Sequence, residues 1–152
     1  MAITEIRSSV LSELSWYPAH AQILIRDAAR HPHKSTPPDT ELVDRLTVHF
    51  DAEPENYADM DPMEQGFYRP VSAAQIEQLR AFVFRLVMDS HSRGLVVASQ
   101  FDMSRSPTVA WYLAEQFQLP LANQAKRLDT RLLALLRAGD RSPTPGSSAP
   151  QP

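Results

Sequence analysis

The stretch Gly94-Leu95-Val96-Val97-Ala98-Ser99-Gln100-Phe101-Asp102-Met103-Ser104-Arg105-Ser106-Pro107-Thr108-Val109-Ala110 decides the fold. Residues 95–98 form a short apolar run with the length of a buried strand. The run breaks into a polar loop. Pro107 then stands in the first turn of a helix, where proline is best tolerated, and Val109, Leu113 and Phe117 recur behind it at helical spacing. Strand, tight loop and helix N-terminus in succession aim backbone N–H groups and the positive end of a helix dipole at one point. That arrangement suits an anion, phosphate above all. Arg105 stands beside this point, with a planar fork that can grip two phosphate oxygens at once.

Upstream of this stretch, Ser72 and Gln75 form a capping box, and Ile76, Leu79, Phe82, Val83, Leu86 and Val87 make one apolar stripe ending near Met88. The helix and the strand after it predict a strand, crossover helix, parallel strand unit. Residues 3–6 alternate as a strand would, and residues 8–14 carry Val10, Leu11 and Leu14 at helical spacing. Residues 21–25 hold Ile23, Leu24 and Ile25 together, which predicts a strand covered on both faces. The third strand is expected at 46–50. Residues 51–70 form a long acidic loop, and a loop of this length in a small domain is usually functional or mobile. Downstream, a helix over 106–118 is followed by a break at Leu119-Pro120 and a second helical pattern over 121–138, with Gly139 as its C-cap.

The fold expected is therefore α/β, a single domain over 1–138 with a small, mainly parallel sheet flanked by helices. Residues 139–152 are rich in Pro and Ser and lack the apolar surface to offset ordering entropy, so a disordered tail is expected there. At 152 residues, 43% hydrophobic and 22% charged, the chain suffices for one cored domain. A net charge of −3 argues against nucleic acid as a partner. The absence of an h-region and of a membrane-length apolar run makes a cytoplasmic protein without a membrane partner the expectation. The chain contains no cysteine, which excludes disulfides, thiolate metal sites and a thiolate nucleophile. His31-Pro32-His33 is the one motif with metal-ligand character. Without further ligands it reads as exposed loop, so neither a metal nor a cofactor is expected.

The loop resembles the signature of the cysteine-based protein tyrosine and dual-specificity phosphatases, His-Cys, five residues, then Arg and Ser or Thr. Here Ala98 stands at the histidine position, Ser99 at the cysteine position, and Asp102 where the family usually carries glycine. Gln100, Phe101, Asp102, Met103 and Ser104 fill the span up to Arg105-Ser106, and Pro107-Thr108-Val109-Ala110 continues as in many dual-specificity members. The order of elements over roughly residues 1 to 138 also resembles small bacterial phosphatase-like proteins. That likeness covers the opening Met1-Ala2-Ile3-Thr4-Glu5-Ile6-Arg7-Ser8, the strand ending Ile25-Arg26-Asp27 and the strand ending His49-Phe50-Asp51.

What the resemblance implies is a degenerate member. In the active family a cysteine thiolate attacks phosphorus while loop N–H groups and the arginine hold the phosphoryl oxygens. A thiol of pKa about 8.5 becomes that thiolate beside a helix N-terminus, whereas a serine hydroxyl needs an adjacent base. Ala98 removes the usual histidine, and His91 lies at the far end of the strand. Ser99 is thus expected to donate a hydrogen bond rather than attack. An inward Asp102 would set a negative charge where a dianion belongs, a repulsion of about 4 kcal/mol at 4 Å and an effective dielectric of ~20; an outward Asp102 leaves binding intact. Ser106 matches the hydroxyl that assists the leaving thiolate, or it caps the helix. Asp51 is the positional match for the general acid, with Asp59 and Asp61 as alternatives, and all three can equally be solvated loop acids.

Three functions follow as expectations. The first is an inactive phosphatase-like protein whose loop, residues 100–105, binds a phosphorylated protein or a small phosphate ester. The second is a phosphomonoesterase in which Ser99 replaces a catalytic cysteine, and the third a purely structural interaction domain.

Overall fold

The computed structural model describes residues 2–28, 44–100, 104–123 and 127–141. Four strands, β1 (Ile6–Val10), β2 (Ala21–Arg26), β3 (Arg45–His49) and β4 (Leu95–Ser99), form one sheet in the order β1-β4-β2-β3, with every pairing parallel. The α/β class with a small parallel sheet agrees with the sequence. The two interior strands are buried at every position, which is why each reads as a nearly unbroken apolar run instead of an alternation.

Three helices cover one face: α2 (Ala73–Met88), α3 (Arg105–Phe117) and α4 (Thr130–Arg141), numbered after the single-turn α1 (Pro62–Gln65). Ile23, Ile25, Leu95 and Val97 meet Leu79, Val83, Val109, Leu113 and Leu136 there. Leu24, Val96 and Ala98 point to the other face and pack on Leu14 of a 3₁₀ turn, Leu11–Trp16. Both halves of the Ser72/Gln75 capping box are formed, at 3.1 and 2.9 Å, and α2 links β3 to β4 across the sheet as the crossover predicted.

Five expectations need correction. The first strand lies at residues 6–10 instead of 3–6, and residues 11–16 are 3₁₀ where a helix over 8–14 was expected. β1 is an edge strand in register with β4 from Ile6↔Leu95 to Val10↔Ser99, so Arg7, Ser8 and Ser9 serve as strand residues although their pattern is polar. The acidic segment 51–70 contains a 3₁₀ turn at Tyr57–Asp59 and α1, whose N-cap is Asp61, accepting from the Glu64 N–H at 2.9 Å. Of the helical pattern expected over 121–138, the described residues 121–123 and 127–129 are not helix, and α4 starts at Thr130. Asp129 starts it by accepting the N–H groups of Arg131 and Leu132, each at 3.1 Å.

Residues 120–123 do something else: they line the outer edge of β1. The Ile6 N–H donates to the Pro120 carbonyl, the Ala122 N–H to the Ile6 carbonyl, and the side-chain amide of Asn123 bonds both the N–H and the carbonyl of Ser8. A short segment and one side chain thereby take the place of a fifth strand. Finally, Gly139 lies inside α4 and caps nothing. A Cβ there would meet Ile76 Cδ1 at 2.4 Å, so glycine lets α4 approach α2. Among the described residues no helix is long and apolar enough to cross a membrane.

Candidate functional site

β4 ends at Ser99 and α3 begins at Arg105, so the polar loop leaves the carboxyl end of an interior strand and enters a helix N-terminus. Pro107 is the third residue of α3 and sits in the turn whose N–H groups need no intrahelical partner. The first backbone bond of the helix, Thr108 N–H to the Ser104 carbonyl at 3.0 Å, closes behind it. The helix starts one residue earlier than its pattern suggests, which puts Ser104 at the N-cap position. Ser104 makes no side-chain cap bond. Gln100 and Ser104 are half-buried at the two ends of the loop; Phe101, Asp102 and Met103 lie outside the described residues, as do His31 and His33.

Arg105 is only 4% exposed. Its Nη1 donates to the Phe50 carbonyl at 2.7 Å, and its Nη2 meets Asp27 Oδ1 at 2.9 Å. Phe50 and Asp27 are the residues immediately after β3 and β2. The guanidinium therefore reaches from the start of α3 across the carboxyl edge of the sheet and joins three elements there. Asp27, a lone acid at a strand end, carried no sequence signal for this role beyond its position.

Asp51 is buried, and its carboxylate is engaged by two backbone donors: Ala28 N–H to Oδ1 at 3.1 Å and Arg69 N–H to Oδ2 at 3.0 Å. The Asp51 N–H also donates to the Arg69 carbonyl at 2.7 Å. These bonds tie the chain leaving β2 to the chain approaching α2. The alternatives Asp59 and Asp61 are exposed, and Asp61 is the α1 cap already described.

Ser99 is fully buried and continues the Leu95, Val97 row toward the helix face. Ser106 is also buried; its hydroxyl donates to the Ser9 carbonyl of β1 at 3.0 Å, so it fastens α3 to the sheet edge and does not cap the helix. Thr108 was not singled out by sequence, yet its buried hydroxyl accepts the Asp129 N–H at 2.8 Å and seats the start of α4. Tyr112 is fully buried, and Trp111 lies under the Arg137 guanidinium, 5.2 Å from the ring centroid.

A cleft of about 450 Å³ opens beside Ser104, between the chain after β3 and the start of α4. Its charged walls are already paired. Arg131 donates to the carbonyls of Pro54 and Glu55, at 3.2 and 2.8 Å, and Arg127 meets Glu55 at 3.2 Å. The arrangement sets a fixed guanidinium and a helix N-terminus at one sheet edge, with the cleft opening beside Ser104. No family model, curated protein or solved structure matches the chain.

Proposed function

We propose that this is a protein tyrosine and dual-specificity phosphatase-like domain that has lost catalysis and keeps an anion site for a phosphorylated protein or a small phosphate ester. The observation that carries the reading is the placement of Arg105, a guanidinium fixed by Phe50 and Asp27 at the junction of an interior parallel strand, a loop and a helix N-terminus. Ligands of open parallel sheets bind outside the carboxyl ends of the strands, and first-turn N–H groups favour negative charge. Loss of catalysis is supported by Ser99, a weakly acidic hydroxyl with no exposed surface, and by Asp51, whose two oxygens already serve backbone donors.

The test has two parts. A chromogenic phosphate ester is incubated with the protein and with Ser99→Cys, and neither hydrolyses it above the buffer rate; turnover by the natural protein makes the domain an enzyme, and turnover by Ser99→Cys alone shows that the rest of the site is competent. Phosphate and a phosphotyrosine peptide are then titrated while the backbone amide resonances are followed. Shifts concentrated at 99–106 that vanish in Arg105→Ala and weaken in Arg105→Lys are the expected result. Shifts unaffected by either variant would remove the loop from the site.

A purely structural reading draws on the same residue, because the bonds of Arg105 to Phe50 and Asp27 tie α3 to two strand ends whether or not an anion binds. It expects no amide shifts at all, and a folding defect in Arg105→Ala.

A further inference from the structure

We infer that Asp27 tunes the charge preference of the anion site beside Arg105, weakening the binding of dianions more than that of singly charged groups; the inference rests on the anion-site reading above. Phe50 and Asp27, both partners of the guanidinium, differ in kind. The Phe50 carbonyl is a neutral acceptor on a fully buried residue whose own N–H is bonded to the Arg26 carbonyl at 3.0 Å. It orients the fork without adding charge. Asp27 brings a carboxylate, and while Arg105 is almost wholly enclosed, the Asp27 side chain is 57% exposed. A negative charge that solvent reaches therefore stands 2.9 Å from Nη2 of an otherwise enclosed cation.

The main chain of Asp27 is held in place. β2 ends at the residue before it, and the Ala28 N–H after it is bonded to the buried Asp51 carboxylate at 3.1 Å. The side-chain torsions of Asp27 can still turn. An anion that engages Nη2 must displace this carboxylate or sit beside it. Their repulsion grows in proportion to the charge on the incoming group, so a penalty factor on a monoanion is squared for a dianion. Exposure and salt keep the factor small.

The experiment uses the full chain and two ligands of similar shape, phenyl sulfate and phenyl phosphate, at about pH 8, above the second phosphate ionisation near 6, so that they carry one and two charges. Affinities are taken from amide-shift titrations of the natural protein, Asp27→Asn and Asp27→Ser. Removing the charge should raise the phenyl sulfate affinity about 3-fold and the phenyl phosphate affinity about 10-fold, with the difference shrinking as salt is added. Equal gains for the two ligands, or no gain while Arg105-dependent binding persists, overturn the role of Asp27 and leave the anion site standing. Loss of binding in both variants makes Asp27 a structural prop and overturns the inference as well. Failure of every protein to bind either ligand overturns the inference and the anion site together.

Discussion

At the scale of single residues, the carboxyl edge of the sheet is governed by two side chains of opposite charge that the backbone has claimed. Asp51 takes one N–H from the chain leaving β2 and one from the chain approaching α2, and Arg105 lends one of its N–H groups to the Phe50 carbonyl. A buried carboxylate with two backbone donors is a bracket, and removing it strands both donors. Asp51→Ala should lower the unfolding free energy by about 2–3 kcal/mol, and Asp51→Asn, which keeps one acceptor oxygen, by about 1–2 kcal/mol, both read from urea midpoints at unchanged slope. A midpoint that does not move in either variant would return Asp51 to the pool of solvated or catalytic acids. The sequence marked Arg105, Ser99 and Asp51 as positions of interest because chemistry-bearing types stood in a known frame. It gave Asp27 and Thr108 no role, since a single acid or hydroxyl acquires its meaning from a partner many residues away: 78 positions separate Asp27 from Arg105, and 21 separate Thr108 from Asp129.

At the scale of elements, local signals were trustworthy where pattern and cap agreed. The α2 stripe is bounded by a formed capping box and buries Ile76, Leu79, Phe82, Val83 and Leu86. Ser72→Ala removes the side-chain acceptor for the Gln75 N–H and should cost about 1 kcal/mol in a thermal or urea melt; a neutral result would mean that the helix start is held by its packing alone. Local signals failed where tertiary pairing overrode them. Arg7, Ser8 and Ser9 belong to a strand because β4 supplies a parallel partner and the segment 120–123 supplies an outer one, and neither neighbour is visible in the polar pattern of the strand itself. The helical periodicity in sequence begins at Leu121, yet Leu121 bridges to Ile6, and α4 starts at the Asp129 cap. Gly139 has the residue type of a cap and the position of a close contact, a distinction that only the distance to Ile76 can make.

For the whole molecule, the class of the fold was legible and its strand order was not. Buried apolar runs and a capped crossover helix predict a parallel sheet flanked by helices. The insertion of β4 between β1 and β2 depends on pairings between residues 89 and 74 positions apart, Ile6 with Leu95 and Ala21 with Leu95. All three long helices share one core with the sheet, α4 contributing Leu132 and Leu136, so the domain should unfold as one unit. Leu136→Ala is expected to destabilise it by about 2–5 kcal/mol and to shift the tryptophan fluorescence and far-ultraviolet dichroism transitions together. Separate transitions would show that α4 melts independently. One further consequence follows from the amide of Asn123. A neighbouring copy that slides its backbone alongside Ile6 and Ser8 finds their hydrogen-bonding groups already occupied, so self-templated lengthening of the sheet is blocked along that stretch of the edge. The terminator is a turn of backbone and one carboxamide, not a dedicated strand.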